Sequence, residues 1–209
     1  MPIINIYEQE NGAWAVWKIT ESEVTLTLLS SEHCPANITH PTKRAEFLAA
    51  RILLREICTR MAIPFRGLHK DRHGKPFLTD ADWQISLTHS YPYVAVQVQR
   101  HDPVGIDLEQ PKPKLYRIAS RFLSAAELAD AGTDLIKLCI YWSAKEALFK
   151  IAGTPGVIFS KDLFIEPFSC NSAGILSSYI QTAPARSVRL QYRNEPDYVL
   201  VTTQSVTTV

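Results

Sequence analysis

The sequence predicts an α+β fold built from two halves of similar size. Three observations carry this. Short runs alternate apolar and polar residues with a period of two, as half-buried strands do. Two long stretches instead repeat apolar residues at helical spacing. A Pro-containing turn, Arg100-His101-Asp102-Pro103, separates one strand-and-helix series from the next. The halves expected from this division are residues 1–102 and 103–209.

In the first half, Gly12–Leu29 mixes Trp14, Val16, Trp17, Ile19, Val24, Leu26 and Leu28 in a largely alternating order, which predicts two strands joined near Glu21–Ser22. From Pro41 the period changes. Phe47, Ala50, Leu53 or Leu54, Ile57 and Met61 recur at helical spacing behind a Thr42 start, giving a first long helix that carries Lys43, Arg44, Arg51, Arg55 and Arg60. A polar turn, HKDRHGKPFL, follows. Then WQISLTHS reads as a strand with a polar tip, and Val94, Val96 and Val98 mark the next strand.

In the second half the order repeats coarsely. A strand is expected at VGIDLE, a helix near SAAELADA and a long helix through TDLIKLCIYWSAKEALFKIAG. Strands follow near Leu163–Ile165, Gly174–Gln181, Ser187–Tyr192 and Tyr198–Thr203.

Composition narrows the function. With 46% apolar residues the 209-residue chain can bury one sizeable core or two small ones. Lys plus Arg (22) and Asp plus Glu (21) nearly cancel, so no overall field favours nucleic acid or a membrane surface. The start MPIINIYEQENGAW has no basic stretch followed by an apolar run, and no run of about 18 apolar residues occurs, so a cytoplasmic protein is expected. Cys34, Cys58, Cys139 and Cys170 form no CxxC pair and are expected as free thiols, mostly buried.

The chemistry concentrates in two acidic blocks. In VGIDLE, Val104, Ile106 and Leu108 fall on one strand face and Gly105, Asp107 and Glu109 on the other. Two carboxylates on one face repel unless neutralised. A Mg²⁺ site shared with substrate phosphates is one common solution, with Gly105 leaving room for a ligand. An isolated D-x-E is nevertheless more often an ordinary surface pair. In WSAKEALFK, Trp142, Glu146 and Lys150 are spaced by four and share one helix side, with Trp142 and Phe149 as buried anchors. A Glu–Lys pair at that spacing is also an everyday helix stabiliser.

Taken together, V-G-I-D-L-E followed by W-S-A-K-E-A-L-F-K resembles the paired signature of the 4′-phosphopantetheinyl transferase superfamily. Gly74-Lys75-Pro76 and Leu87-Thr88-His89-Ser90 look like that family's G-K-P turn and its S-H-S-type strand end, with Thr88 where Ser is usual. The length resembles the monomeric, surfactin-synthetase-activating type. That resemblance implies a pseudo-twofold pair of α+β halves, each a small antiparallel sheet on a long helix, with the active site in the cleft between them. It spans roughly residues 40 to 155.

The resemblance further implies transfer of 4′-phosphopantetheine from coenzyme A to a serine of an apo acyl or peptidyl carrier protein, with release of 3′,5′-ADP. Asp107, Glu109 and Glu146 match the acidic ligands of a Mg²⁺ ion, for which Mn²⁺ could substitute. Glu146 is the first candidate to take the serine proton and Glu127 the second. Lys150 is expected at the phosphates, orienting Glu146. Lys75, Thr88, His89, Ser90 and Lys145 are expected to bind coenzyme A, and either Arg44 or Arg51 to meet its 3′-phosphate. For the two arginines, solvated helix charge is an equal alternative. The carrier protein, typically acidic, is expected near Tyr116–Phe122 with Lys112, Lys114, Arg117 and Arg121. Two other classes remain open at this point: a coenzyme A-binding module without activity, and a metal-dependent phosphodiesterase using the same acids.

Overall fold

A computed structural model describes residues 3–209; Met1 and Pro2, the start of the stretch read for a leader, lie outside the described residues. The chain divides into two compact units, Met1–His101 and Asp102–Val209.

The first unit opens with strands β1 (Ile3–Gln9) and β2 (Gly12–Lys18), then helices α1 (Glu23–Leu29) and α2 (Pro41–Arg60). A small hairpin of β3 (Leu68–Lys70) and β4 (Pro76–Leu78) precedes β5 (Gln84–Ser90) and β6 (Tyr93–Gln99). Strands pair antiparallel in the order β1-β2-β6-β5. Ala13, Ala15 and Trp17, with Val94, Val96 and Val98, pack against Leu48, Ile52, Leu53 and Ile57 of α2, forming a closed apolar cluster.

The second strand expected within Gly12–Leu29 is instead helix α1. Ser22 caps it by accepting a hydrogen bond from the Thr25 N–H at 3.2 Å. Only Leu26 of its residues is buried, while Val24 and Leu28 point to solvent, so the apparent alternation is not that of a two-faced strand. Helix α2 begins at Pro41 rather than Thr42, with His40 in the capping position. A proline loses nothing in the first turn, where its missing N–H would have no helical partner.

The second unit holds β7 (Ile106–Glu109), α3 (Lys114–Phe122), α4 (Ala125–Ala131), α5 (Leu135–Ala152), the short α6 (Phe159–Asp162), and strands β8 (Leu163–Ile165), β9 (Ala173–Ile180), β10 (Arg186–Asn194) and β11 (Val199–Thr208). The antiparallel sheet runs β7-β11-β10-β9-β8. Helix α5 supplies Leu138, Ile140, Ala144, Leu148 and Ile151 to a cluster with Leu163, Leu176, Leu190 and Val201. Helix α3 was not expected from the sequence; it starts among prolines and buries only Leu115, Ala119 and Phe122.

Two further expectations change here. Phe149 was read as a buried anchor of α5 but is 38% exposed, and the anchoring falls to Trp142, whose ring meets Phe122 edge-on at 5.0 Å. All four cysteines are free as expected, but only Cys58 and Cys139 are buried; Cys34 and Cys170 are half-buried.

Gly105 does not leave room for a ligand. A Cβ built there would overlap the Ala147 carbonyl oxygen of α5, so the missing side chain is what lets the chain before β7 approach the helix. Thr203 of β11 fixes the same residue, its Oγ1 accepting from the Gly105 N–H and donating to the Gly105 carbonyl, each at 2.8 Å. Gly105→Ala should therefore destabilise the protein by about 3 kcal/mol or more, since backbone must move to admit the methyl group. Urea unfolding measures this; a change below about 0.5 kcal/mol, the size of an ordinary surface substitution, would contradict the close approach.

Candidate functional site

The second unit brings the two acidic blocks onto one surface. Antiparallel pairing of Asp107 with Val201 and Glu109 with Val199 fixes the carboxylates on β7, two residues apart on the same face. Gly105, two residues before Asp107, abuts Ala147 of α5, so that face looks at the helix. One turn beyond Glu146, Lys150 donates to the Ile106 carbonyl at 2.7 Å and pairs with Asp107 Oδ1 at 3.0 Å.

The electrostatics record the convergence of the acids. Burial pushes the Glu146 carboxyl up, the Asp107 charge adds to this, Lys150 partly offsets it and Glu109 adds again, leaving it at about 7 instead of 4.5. Glu146 thus senses both β7 carboxylates. Among the described residues, no three His, Cys, Asp or Glu side chains are arranged to hold a metal ion, and Lys150 stands against Asp107 as its cation. The donor set itself is oxygen only, and its excess negative charge is of the kind a hard divalent cation relieves.

Two other predicted residues in this unit meet each other. Lys145 is completely buried, and its ammonium donates to Glu127 Oε2 at 2.8 Å, to the Phe159 carbonyl at 3.0 Å and to the Leu163 carbonyl. An ammonium has three donors, and all three are used. Glu127 is 3% exposed; it also accepts from the Ser124 N–H, closing a capping box on α4, and from the Ile165 N–H of β8. The pair ties α4, α5 and β8 together.

The first unit contains a cavity of about 610 Å³, a size that suits a nucleotide. One side of α2 lines it with Lys43, Glu46, Phe47, Ala50 and Arg51. Their offsets of 3, 4, 7 and 8 from Lys43 make a continuous helical stripe. Lys70, Gly74 and Pro76 enter from the hairpin and Leu87 and His89 from β5. Gly74 has φ of +86°, the left-handed turn conformation that suits glycine.

The predicted nucleotide ligands divide here. Arg51 lines the cavity, its Nε donating to Glu32 at 3.0 Å and its guanidinium stacked 3.3 Å from the Phe47 ring. Arg44 is not a lining residue; it donates to Glu23 at 2.6 Å and to the Ile38 carbonyl at 3.0 Å. Gly74 and Pro76 line the space while Lys75, between them, holds its ammonium 5.8 Å from the Phe77 ring. Strand alternation puts His89 at the cavity and Thr88 and Ser90 on the opposite face of the sheet.

Sequence reasoning missed Glu46, Lys43, Lys70 and His40, which all line the cavity. Glu46 is 1% exposed and accepts from Lys43 Nζ at 2.8 Å, from His89 Nδ1 at 3.1 Å and from the Tyr91 N–H at 3.0 Å. Burial alone would push its carboxyl up. Hydrogen bonds from His89 and Lys43, with their charges, outweigh this and hold it at about 2. The missed signal was a Glu on the apolar side of α2, three residues after a Lys.

Comparison with known proteins bears on both units. Residues 103–203 match a family model described as the 4′-phosphopantetheinyl transferase superfamily, and residues 33–99 match one described as the 4′-phosphopantetheinyl transferase N-terminal domain. The chain is 31% identical over 160 residues to the 4′-phosphopantetheinyl transferase psf-1 of Bacillus pumilus, covering 72% of this chain and 67% of that protein. It is 34% identical over 87 residues to a 4′-phosphopantetheinyl transferase of Bacillus subtilis, covering 39% of this chain and 38% of that one. Among the described residues no helix is long and apolar enough to cross a membrane.

The depressed Glu46 carboxyl sets a pH dependence. Its contribution to stability is complete above pH 4.5 and is lost as pH falls toward 2. At about 1.4 kcal/mol per pK unit, Glu46→Gln should cost up to about 3 kcal/mol at pH 6 and far less near pH 2. Urea unfolding at both pH values checks this, and an equal gap at the two would contradict it.

Proposed function

The chain belongs to the 4′-phosphopantetheinyl transferase superfamily, and from that premise we propose that it moves 4′-phosphopantetheine from coenzyme A to a serine of an apo carrier protein, releasing 3′,5′-ADP. The observation that carries the reading is the convergence of Asp107, Glu109 and Glu146 with Lys150 in one unit, in the blocks the family shares.

Asp107, Glu109 and Glu146 are the residues that would hold Mg²⁺. When bound there, such an ion supplies charge neutralisation at the pyrophosphate of coenzyme A. Lys150, already aimed by the Ile106 carbonyl, places a positive charge beside those phosphates. Glu146 is the group assigned to accept the serine proton as the hydroxyl oxygen bonds to the phosphorus carrying the pantetheine arm. The bond from that phosphorus to the departing 3′,5′-ADP oxygen breaks in the same displacement.

The cavity of the first unit is assigned to the nucleotide of coenzyme A. Ile38, Phe47, Leu68 and Leu87 offer apolar walls for a base, and Lys43, Arg51, Lys70 and His89 offer donors for phosphate oxygens. Of the two arginines, Arg51, which lines the cavity, is assigned to the 3′-phosphate. Lys145 and Glu127 are assigned to the framework of the second unit, because both are buried and hydrogen-bonded within it. Helix α3 presents Lys114, Tyr116, Arg117 and Arg121 to solvent on the side opposite its buried Leu115, Ala119 and Phe122, which suits an acidic carrier protein.

Two outcomes are expected. Apo carrier protein incubated with coenzyme A and Mg²⁺ gains the mass of one phosphopantetheine. Glu146→Gln slows this by about 100-fold or more. No mass gain across a panel of carriers would contradict the reading. Arg117→Glu with Arg121→Glu should raise KM for the carrier about tenfold while leaving KM for coenzyme A within about twofold. Equal effects on both substrates would remove α3 from the docking surface.

A further inference from the structure

Glu46 is an acid at the wall of a cavity otherwise furnished with basic side chains. Simple charge counting makes it unfavourable to an anionic ligand. Yet its carboxylate is turned away from solvent and fully engaged: Oε2 takes the Lys43 ammonium and the His89 Nδ1–H, and Oε1 takes the Tyr91 N–H. These partners come from two elements, the first turn of α2 and the end of β5 with the residue after it. Both side chains it grips are cavity-lining residues.

We propose that Glu46 is a positioning residue for the nucleotide: it holds Lys43 and His89 in one arrangement so that His89 Nε2 and the remaining Lys43 protons meet the ligand's anionic groups. The proposal rests on the reading that the nucleotide of coenzyme A occupies this cavity. His89 is 47% exposed along its side chain and Lys43 56%, so neither is fixed by packing, and the carboxylate is what removes their freedom. In the imidazolium, Nδ1–H is committed to Glu46 and Nε2–H is the donor left for the ligand's anionic group, with its direction set. The low Glu46 carboxyl, at about 2, keeps the acceptor charged across the working pH range. Holding the groups in place before the ligand arrives saves the cost of ordering them on binding.

The test uses the full chain and two probes, coenzyme A and 3′,5′-ADP, titrated calorimetrically at a temperature where melting curves show every variant folded. Glu46→Gln keeps the size of the side chain and removes its charge. Positioning predicts about tenfold weaker binding of both probes and a matching rise in KM for coenzyme A, with kcat within about twofold. Charge removal without positioning predicts equal or tighter binding, and that result overturns the proposal. In a cycle with His89→Ala, the second substitution should cost less than about twofold once the first is present. Fully additive losses would show that Glu46 does not act through His89 and would also overturn it. Failure of the unaltered protein to bind either probe defeats the cavity assignment itself, an outcome distinct from normal binding by the unaltered protein and Glu46→Gln alike.

Discussion

Helix α5 lies so close to the chain entering β7 that a single methyl group at Gly105 would collide with the Ala147 carbonyl. Much of the second unit's chemistry follows from this approach. Only with α5 this near can Lys150 reach both the Ile106 carbonyl and Asp107. Only then does Glu146, one turn earlier, become a half-buried carboxyl that feels two strand carboxylates. Packing therefore creates an electrostatic tension that neither β7 nor α5 has alone. Burying like charges is unfavourable by itself, and its persistence at one surface is the usual mark of a site built for a ligand.

The unit stays rigid around that tension through a second buried charge pair. Lys145 and Glu127 satisfy one another and four backbone groups of α4, α6 and β8, with Lys145 fully sealed from water. Adjacent residues of one helix thus have opposite fates. Lys145 points into the framework with every donor used, while Glu146 points at β7 and carries a raised pKa. A helical turn places neighbours about 100° apart, which is enough to separate structure from chemistry within a single Lys-Glu dipeptide.

Much of this was legible in the sequence for a physical reason. Strand and helix periods assign faces, so Asp107 with Glu109, and Glu146 with Lys150, could be grouped before any fold was known. The long helices α2 and α5 and the strands β5 and β8 were likewise readable from period alone. Three things were not. Helix α1 carries β-branched and apolar residues in an order that imitates a strand, and only its Ser22 cap and exposed Val24 and Leu28 reveal otherwise. Gly105 was read as space for a ligand, because a glycine in a sequence does not say what fills the gap. The stripe from Lys43 to Arg51 was noticed for its cations but not for Glu46, since an acid three residues after a lysine looks like any surface ion pair until its burial is known.

The central claim is that Asp107, Glu109 and Glu146 form one carboxylate site for a divalent cation. Its most direct test is a magnetic-resonance titration of Mn²⁺ into the protein with coenzyme A present, comparing the unaltered chain with Asp107→Asn. The account predicts binding of one ion by the unaltered chain and about tenfold or weaker binding by the variant, from the loss of one charged ligand. Equal binding by the two, or none by the unaltered chain, would contradict it.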